Sequence, residues 1–236
     1  MAKPIWQTET EIYLPRISKT HAFFGEVDLL LKNLPKAPFL ESPTREQQVA
    51  YSLVRFGQNG TTVVRQLIDN VAMQWKEGRL VGVCGPVRFG LEYWAAIHFG
   101  RQILLQYQKF GNIEQAEHKT ARLTFSGKTP VKLPWGGTTE HKAYSVMTFI
   151  NTIQKSHPEV RDDYNFLSEA THPNFLQNTY YLMASREHEN FSNEKFKTYA
   201  HEILEQTIAI LERVASGVAS ESLELARIAL PLLPKG

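Results

Sequence analysis

Cysteine is nearly absent: Cys84 is the single one in 236 residues. A lone thiol excludes an intramolecular disulfide and a zinc site built on cysteines, and Val-Gly-Val-Cys84-Gly-Pro reads as the surroundings of a small buried hydrophobe. Charge of one sign is missing as well. With 26 Lys and Arg against 24 Asp and Glu and no basic run, the net +2 gives no electrostatic reason to expect nucleic acid or an anionic membrane as an obligatory partner. No uninterrupted apolar stretch approaches the roughly 20 residues needed to cross a bilayer. Residues 1–7 carry one lysine and no hydrophobic region of the signal-peptide kind. Together these absences predict a cytoplasmic protein that is neither secreted nor membrane-spanning. Also missing are the Gly-x-Gly-x-x-Gly fingerprint, a P-loop, a nucleophile elbow and His-Glu-x-x-His.

What is present is a packed globular composition, 42% hydrophobic and 21% charged, with no visible linker. A single helical domain over residues 1–236 is the expectation. From Ser18, the apolar set Phe24, Val27, Leu31 and Leu34 marks a helix that Pro35 and Pro38 stop. Thr44 and Gln47 have capping-box spacing and open a second helix, which buries Val49, Leu53 and Phe56 before Gly57. A third buries Val64, Leu67, Ile68, Val71 and Trp75.

The fourth differs in kind. From Val87 to Tyr107 apolar residues occupy every side, the pattern of a central helix wrapped by others. Arg88, Glu92 and His98 ride on it, so each must find a partner inside the fold. A fifth helix follows from about Asn112 to Phe125, and residues 127–139 read as a long loop. Ala143 to Ile153 marks a sixth helix, and Pro158 opens a seventh that Pro173 ends. Residues 174–192 are ambiguous between a short strand and an aromatic lid. Residues 193–236 hold C-terminal helices packed on the bundle, one with Ile203, Thr207, Ile210 and Val214 on a face and a last piece from Ser220 to Leu230. The fold class this predicts is all-α, an irregular multi-helix bundle around a hydrophobic central helix at about 87–107.

Charge divides unevenly. Residues 1–130 carry 16 basic and 11 acidic side chains, and residues 131–236 carry 10 and 13. That asymmetry fits solvated helix faces, a phosphate-binding face on the first half, or head-to-tail pairing between protomers.

The densest polar stretch is Arg161 to Asn174. On a helix, Arg161, Asn165, Ser168 and His172 align on one face while Val160, Leu167 and Thr171 turn elsewhere. This file reads in two ways: as a cleft with His172 as acid/base, or as a helix end whose polar groups are satisfied, with His172 near the last carbonyls. Arg161 and His172 lie eleven residues apart, about 16 Å along a helix axis, too far to act on one bond. A catalytic set therefore draws on another helix, which nominates Arg88 and Glu92 to meet Ser168, Glu169 or His172. Glu169 and His172 also have the Glu-x-x-His step of dinuclear metal bundles, but no second such step exists in the chain. A mononuclear site of Glu92, Glu169 and His172 is a residual reading, and no metal or other cofactor is expected. Arg16 and His21 have an Arg-x4-His spacing that some ribonucleases use; with 12 Arg and 8 His, about one such match arises by chance.

Val-Arg88-Phe-Gly-Leu-Glu92-Tyr followed by Tyr164-Asn-Phe-Leu-Ser168-Glu169-Ala-Thr-His172-Pro173-Asn174 resembles a broad group of largely uncharacterised bacterial helical proteins. These are similar to the HEPN superfamily, and the resemblance spans about residues 85–175. It implies an all-α bundle, often a homodimer, with a role in RNA handling, toxin–antitoxin pairs or phage defence. The HEPN ribonuclease signature sets Arg and His four to six residues apart, and Arg161 and His172 depart from it. Two functions follow as expectations. One is metal-independent RNA cleavage by His172 with Arg88, Glu92, Ser168 and Glu169 around it. The other is a non-catalytic protein-interaction module in which the same cluster is structural and Trp135, Tyr180 and Tyr181 face a protein partner.

Overall fold

The computed structural model describes residues 5–32, 43–76, 81–124, 142–172 and 194–233. Its described part is all-α: α1 (Ile5–Lys32), α2 (Arg45–Lys76), α3 (Val81–Phe110), α4 (Ile113–Thr124), α5 (Val146–Ile153), α6 (Glu159–Thr171) and α7 (Glu194–Ala229), closed by a 3-10 turn at Leu230–Leu232. The loop expected at 127–139 and the segment 174–192, with Trp135, Tyr180 and Tyr181, lie outside the described residues. No helix among the described residues is long and apolar enough to cross a membrane.

The central helix is where the sequence places it. Val87, Leu91, Trp94, Ala95, Ile97 and Leu104 are buried on α3, which packs against α2, α4, α5, α6 and α7. A helix apolar on all sides stays in place only when other helices cover it, and here five do. Cys84 is buried there too, and burial pushes its thiol up to about 11, against a weaker pull down from the Thr207 hydroxyl.

Three helix boundaries differ from expectation. The first helix begins at Ile5 rather than Ser18, because the stripe Tyr13, Ile17, Thr20, Phe24 and Val27 runs straight past Pro15, which faces solvent. The second and third expected helices are one, α2, and the two C-terminal pieces are one, α7. Glycine misled in both cases, because it marks close approach rather than an end. A Cβ on Gly57, where the second helix is expected to end, would come within 3.3 Å of Leu225 Cδ2 on α7, and one on Gly217 would come within 2.1 Å of the Trp94 indole. At Gly217 the backbone of α7 presses onto the Trp94 ring of α3, and only a residue without a side chain fits.

The capping signals hold. The Thr44 N–H donates to Gln47 Oε1 at 2.9 Å while the Gln47 N–H donates to Thr44 Oγ1 at 3.2 Å, the reciprocal capping box. The Gln115 N–H donates to Asn112 Oδ1 at 3.0 Å to start α4, and Ser145 caps α5 through the Met147 N–H.

Candidate functional site

The α3–α6 seam is built on one cation. Arg88 points from the central helix toward α6, and each nitrogen of its guanidinium is used. Nε donates to Glu92 Oε1 at 3.2 Å, Nη1 to Thr171 Oγ1 at 3.0 Å and Nη2 to Tyr164 OH at 3.1 Å. The guanidinium carbon also stands 5.2 Å from the Tyr164 ring centroid, within cation–π range. Tyr164 and Thr171 are seven residues apart, two turns of α6, so they share the face that meets α3. The Thr171 hydroxyl spends its hydrogen on Leu167 O at 2.8 Å, which leaves its lone pairs for Arg88.

Glu92 is half-buried beside this cation. Burial pushes its carboxyl above the usual range, and the charge and hydrogen bond of Arg88 pull in the other direction without prevailing. Ser168 Oγ is buried between the Tyr164 and Thr171 turns and makes no hydrogen bond.

The other nominated residues lie outside the seam's center. Glu169 and His172 are exposed. His172 is the C-cap of α6: its N–H donates to Ser168 O at 3.0 Å and its backbone is already extended at φ −84° and ψ 149°. Pro173 follows, and a residue before proline is pushed out of the helical region, so the break falls there. Arg88 thus reaches α6 as expected, but it meets Tyr164 and Thr171 rather than Ser168, Glu169 or His172. Nor does the expected polar file act as a unit, since Arg161 Nη1 donates across to Asn151 Oδ1 of α5 at 3.0 Å and Asn165 faces solvent. Glu92, Glu169 and His172 do not gather as a ligand set; among the described residues no three His, Cys, Asp or Glu side chains do. Arg16 and His21 turn to different neighbours, Arg16 to Glu205 and Glu212 on α7 and His21 to Asp69 on α2.

Two further polar links were not nominated. Asp163 is buried on α6 and accepts from Arg213 of α7 at 2.7 and 3.1 Å; burial nonetheless keeps its carboxyl above the usual range. The other lies deep in the α3–α7 interface. His98 Nδ1 stands 2.9 Å from Glu221 Oε1, and Arg101 Nε stands 2.6 Å from Glu221 Oε2. Only 3% of the His98 side chain and 8% of that of Glu221 are exposed, so this is an interior ion cluster. Its signal was in the sequence: Val214, Val218, Glu221 and Leu225 are spaced as one stripe, and the carboxylate stands where an apolar residue belongs.

No family model matches this chain, and neither a curated protein nor a solved structure does. The site therefore has to be read from its own geometry.

Beside the seam, a concavity of about 250 Å³ opens between α3, α4 and α5. Phe89, Tyr93, Tyr144 and Phe149 line it, with Glu92 and Arg122 as its polar points. Tyr144 and Phe149 both pack on Phe99, with ring centroids 5.0 and 5.4 Å away, and Arg122 caps the Tyr144 ring at 3.9 Å. Phe89 is 58% exposed at its edge. Chemically the seam offers a cation with three of its five N–H donors engaged and a half-buried carboxylate, and the concavity offers aromatic surface.

Proposed function

We propose that the chain is a non-catalytic protein-interaction module in which the Arg88 seam is a structural clamp and the aromatic concavity is the contact face. One observation carries this: every nitrogen of Arg88 is already bonded within the chain, to Glu92, Thr171 and Tyr164. Three of its five N–H groups are engaged there, and two of those bonds, to Thr171 and Tyr164, hold α6 on α3, so an arginine that turned these donors to a reacting phosphate would give up that packing. The partner is a protein. A second copy of the chain is the version to test first, because the first 130 residues carry a net +5 and the remainder a net −3.

A second reading, HEPN-like RNA cleavage, has one specific observation in its favour. Arg88 Nη1 is bonded to Thr171, the residue before His172, so cation and imidazole belong to the same end of α6. One experiment separates the two: sedimentation and RNA cleavage measured on the wild type and on the Phe89→Asp and His172→Ala variants. The module reading expects self-association that Phe89→Asp abolishes, and no RNA cleavage. Cleavage that His172→Ala abolishes, with association unchanged in both variants, supports the enzyme and overturns the module.

A further inference from the structure

A second cavity, of about 300 Å³, lies where α3 faces α4 and the turn after α5. That volume is at the lower end of the range for small-molecule sites, roughly 300–1,000 Å³. His98 and Gln102 of α3 line it, Lys119 comes from α4, and Lys155 and Ser156 come from the turn. Phe99 supplies an apolar wall.

The inner side of the cavity is rigidly built. A carboxylate paired with Arg101 accepts, so the Glu221 contact at 2.9 Å puts a hydrogen on His98 Nδ1 and leaves Nε2 as the acceptor on the other side of the ring. Nε2 lies 3.4 Å from the Gln102 amide nitrogen, and Gln102 itself lines the cavity. Arg101 holds Glu221 from the other side, so the imidazole cannot rotate without breaking an interior ion cluster.

The outer side is cationic. Lys119 Nζ is held at 2.7 Å by Gln106 Oε1, a neutral acceptor that positions the ammonium without cancelling its charge. Lys155 adds a second ammonium, and no carboxylate stands among the described lining residues. Two ammonium groups with amide and hydroxyl donors suit a doubly charged phosphate ester, where lysine acts as a point charge, better than a carboxylate, whose usual partner is the arginine fork.

We propose that this cavity binds a small organic phosphate, with the phosphate between Lys119 and Lys155, the His98–Gln102 pair beneath it and the organic group against Phe99. The proposal is independent of the interaction module, since it shares no residue with the aromatic concavity or the Arg88 seam. Calorimetric titration at low salt tests it, with phenyl phosphate as the probe and inorganic phosphate and benzoate as comparators. Saturable binding of phenyl phosphate is expected, with a dissociation constant lower than that of either comparator. The Lys119→Gln/Lys155→Gln double variant weakens it at least about tenfold, while Lys19→Gln on the exposed face of α1 leaves it unchanged. Both lysines are at the surface, so the double variant folds. Absence of saturable binding, equal affinity for benzoate, or full affinity in the double variant overturns the proposal.

Discussion

The central helix carries two polar seams, and they are opposite in construction. Toward α6 the hub is a cation, Arg88, whose partners are two neutral hydroxyls and the half-buried Glu92 one turn along its own helix. Toward α7 the hub is a carboxylate, Glu221, which holds two basic groups, His98 and Arg101, in the interior. The first seam engages every guanidinium nitrogen of its hub through three of its five N–H groups. The second fixes its histidine through both ring nitrogens, Nδ1 to Glu221 and Nε2 to the Gln102 amide. Of the residues that look catalytic in the sequence, Arg88 and Glu92 belong to the first seam, while Glu169 and His172 lie exposed beside it. Glu221, the hub of the second, stands on an otherwise apolar stripe of the sequence.

That contrast can be broken at the hubs. Glu221→Ala has the largest expected effect. It leaves Arg101 and His98 without their shared acceptor in the interior, and removing one partner of a buried pair costs about 3–5 kcal/mol. Urea denaturation measures it, and a loss below about 1 kcal/mol would mean that Glu221 is not the hub. Arg88→Ala should cost less, about 1–3 kcal/mol, because two of its partners are neutral hydroxyls, the third, Glu92, is only half-buried, and water can reach part of the seam. Equal losses at the two hubs would erase the distinction drawn between them.

The pH dependence sharpens the comparison further. Burial raises the Glu92 carboxyl above its ordinary value of 4.5, so Glu92 favours folding most when protonated. Its contribution is fully present below the unfolded value and is lost as pH rises through the higher folded value. The Glu92→Gln variant should therefore gain stability relative to wild type as pH rises from about 4.5 upward. Asp163, which burial also raises, is present in both proteins and cancels in the difference. Melting curves across this range check the sign, and a variant that loses ground with rising pH contradicts it. His172→Ala should have the smallest effect. The residue is exposed and only its backbone N–H is bonded, to Ser168 O, so the change stays within about 0.5 kcal/mol in the same denaturation experiment.

The architecture was legible wherever a local rule acts alone. The capping box at Thr44, the Asn112 start, the Pro158 opening and the all-apolar stretch after Val87 each report a nearby physical constraint, and each is found in place. Helix length was not legible where the constraint comes from another helix. Gly57 reads as an end until Leu225 of α7 is set against it, and the gap before Ser220 reads as a break until Gly217 is seen against the Trp94 ring.

The candidate site shows the same division. That Arg88 needs a partner followed from its place on an apolar helix. Which side chain on α6 would receive it depended on the rotation of that helix, and Tyr164 and Thr171 face α3 where Glu169 and His172 do not. Glu221 was legible in principle as a carboxylate on an apolar stripe. Its partnership with His98 spans 123 positions, and no spacing rule reaches that far.

The claim on which the functional reading rests is that Arg88 is a clamp between α3 and α6. A double-mutant cycle of Arg88→Ala and Tyr164→Phe, read by urea denaturation, tests it most directly. The clamp predicts a coupling energy of about 1 kcal/mol between the two sites, with the double variant losing less than the sum of the singles. Strict additivity would show that the guanidinium and the phenol do not hold one another in solution, and would return Arg88 to the set of groups free to act on a substrate.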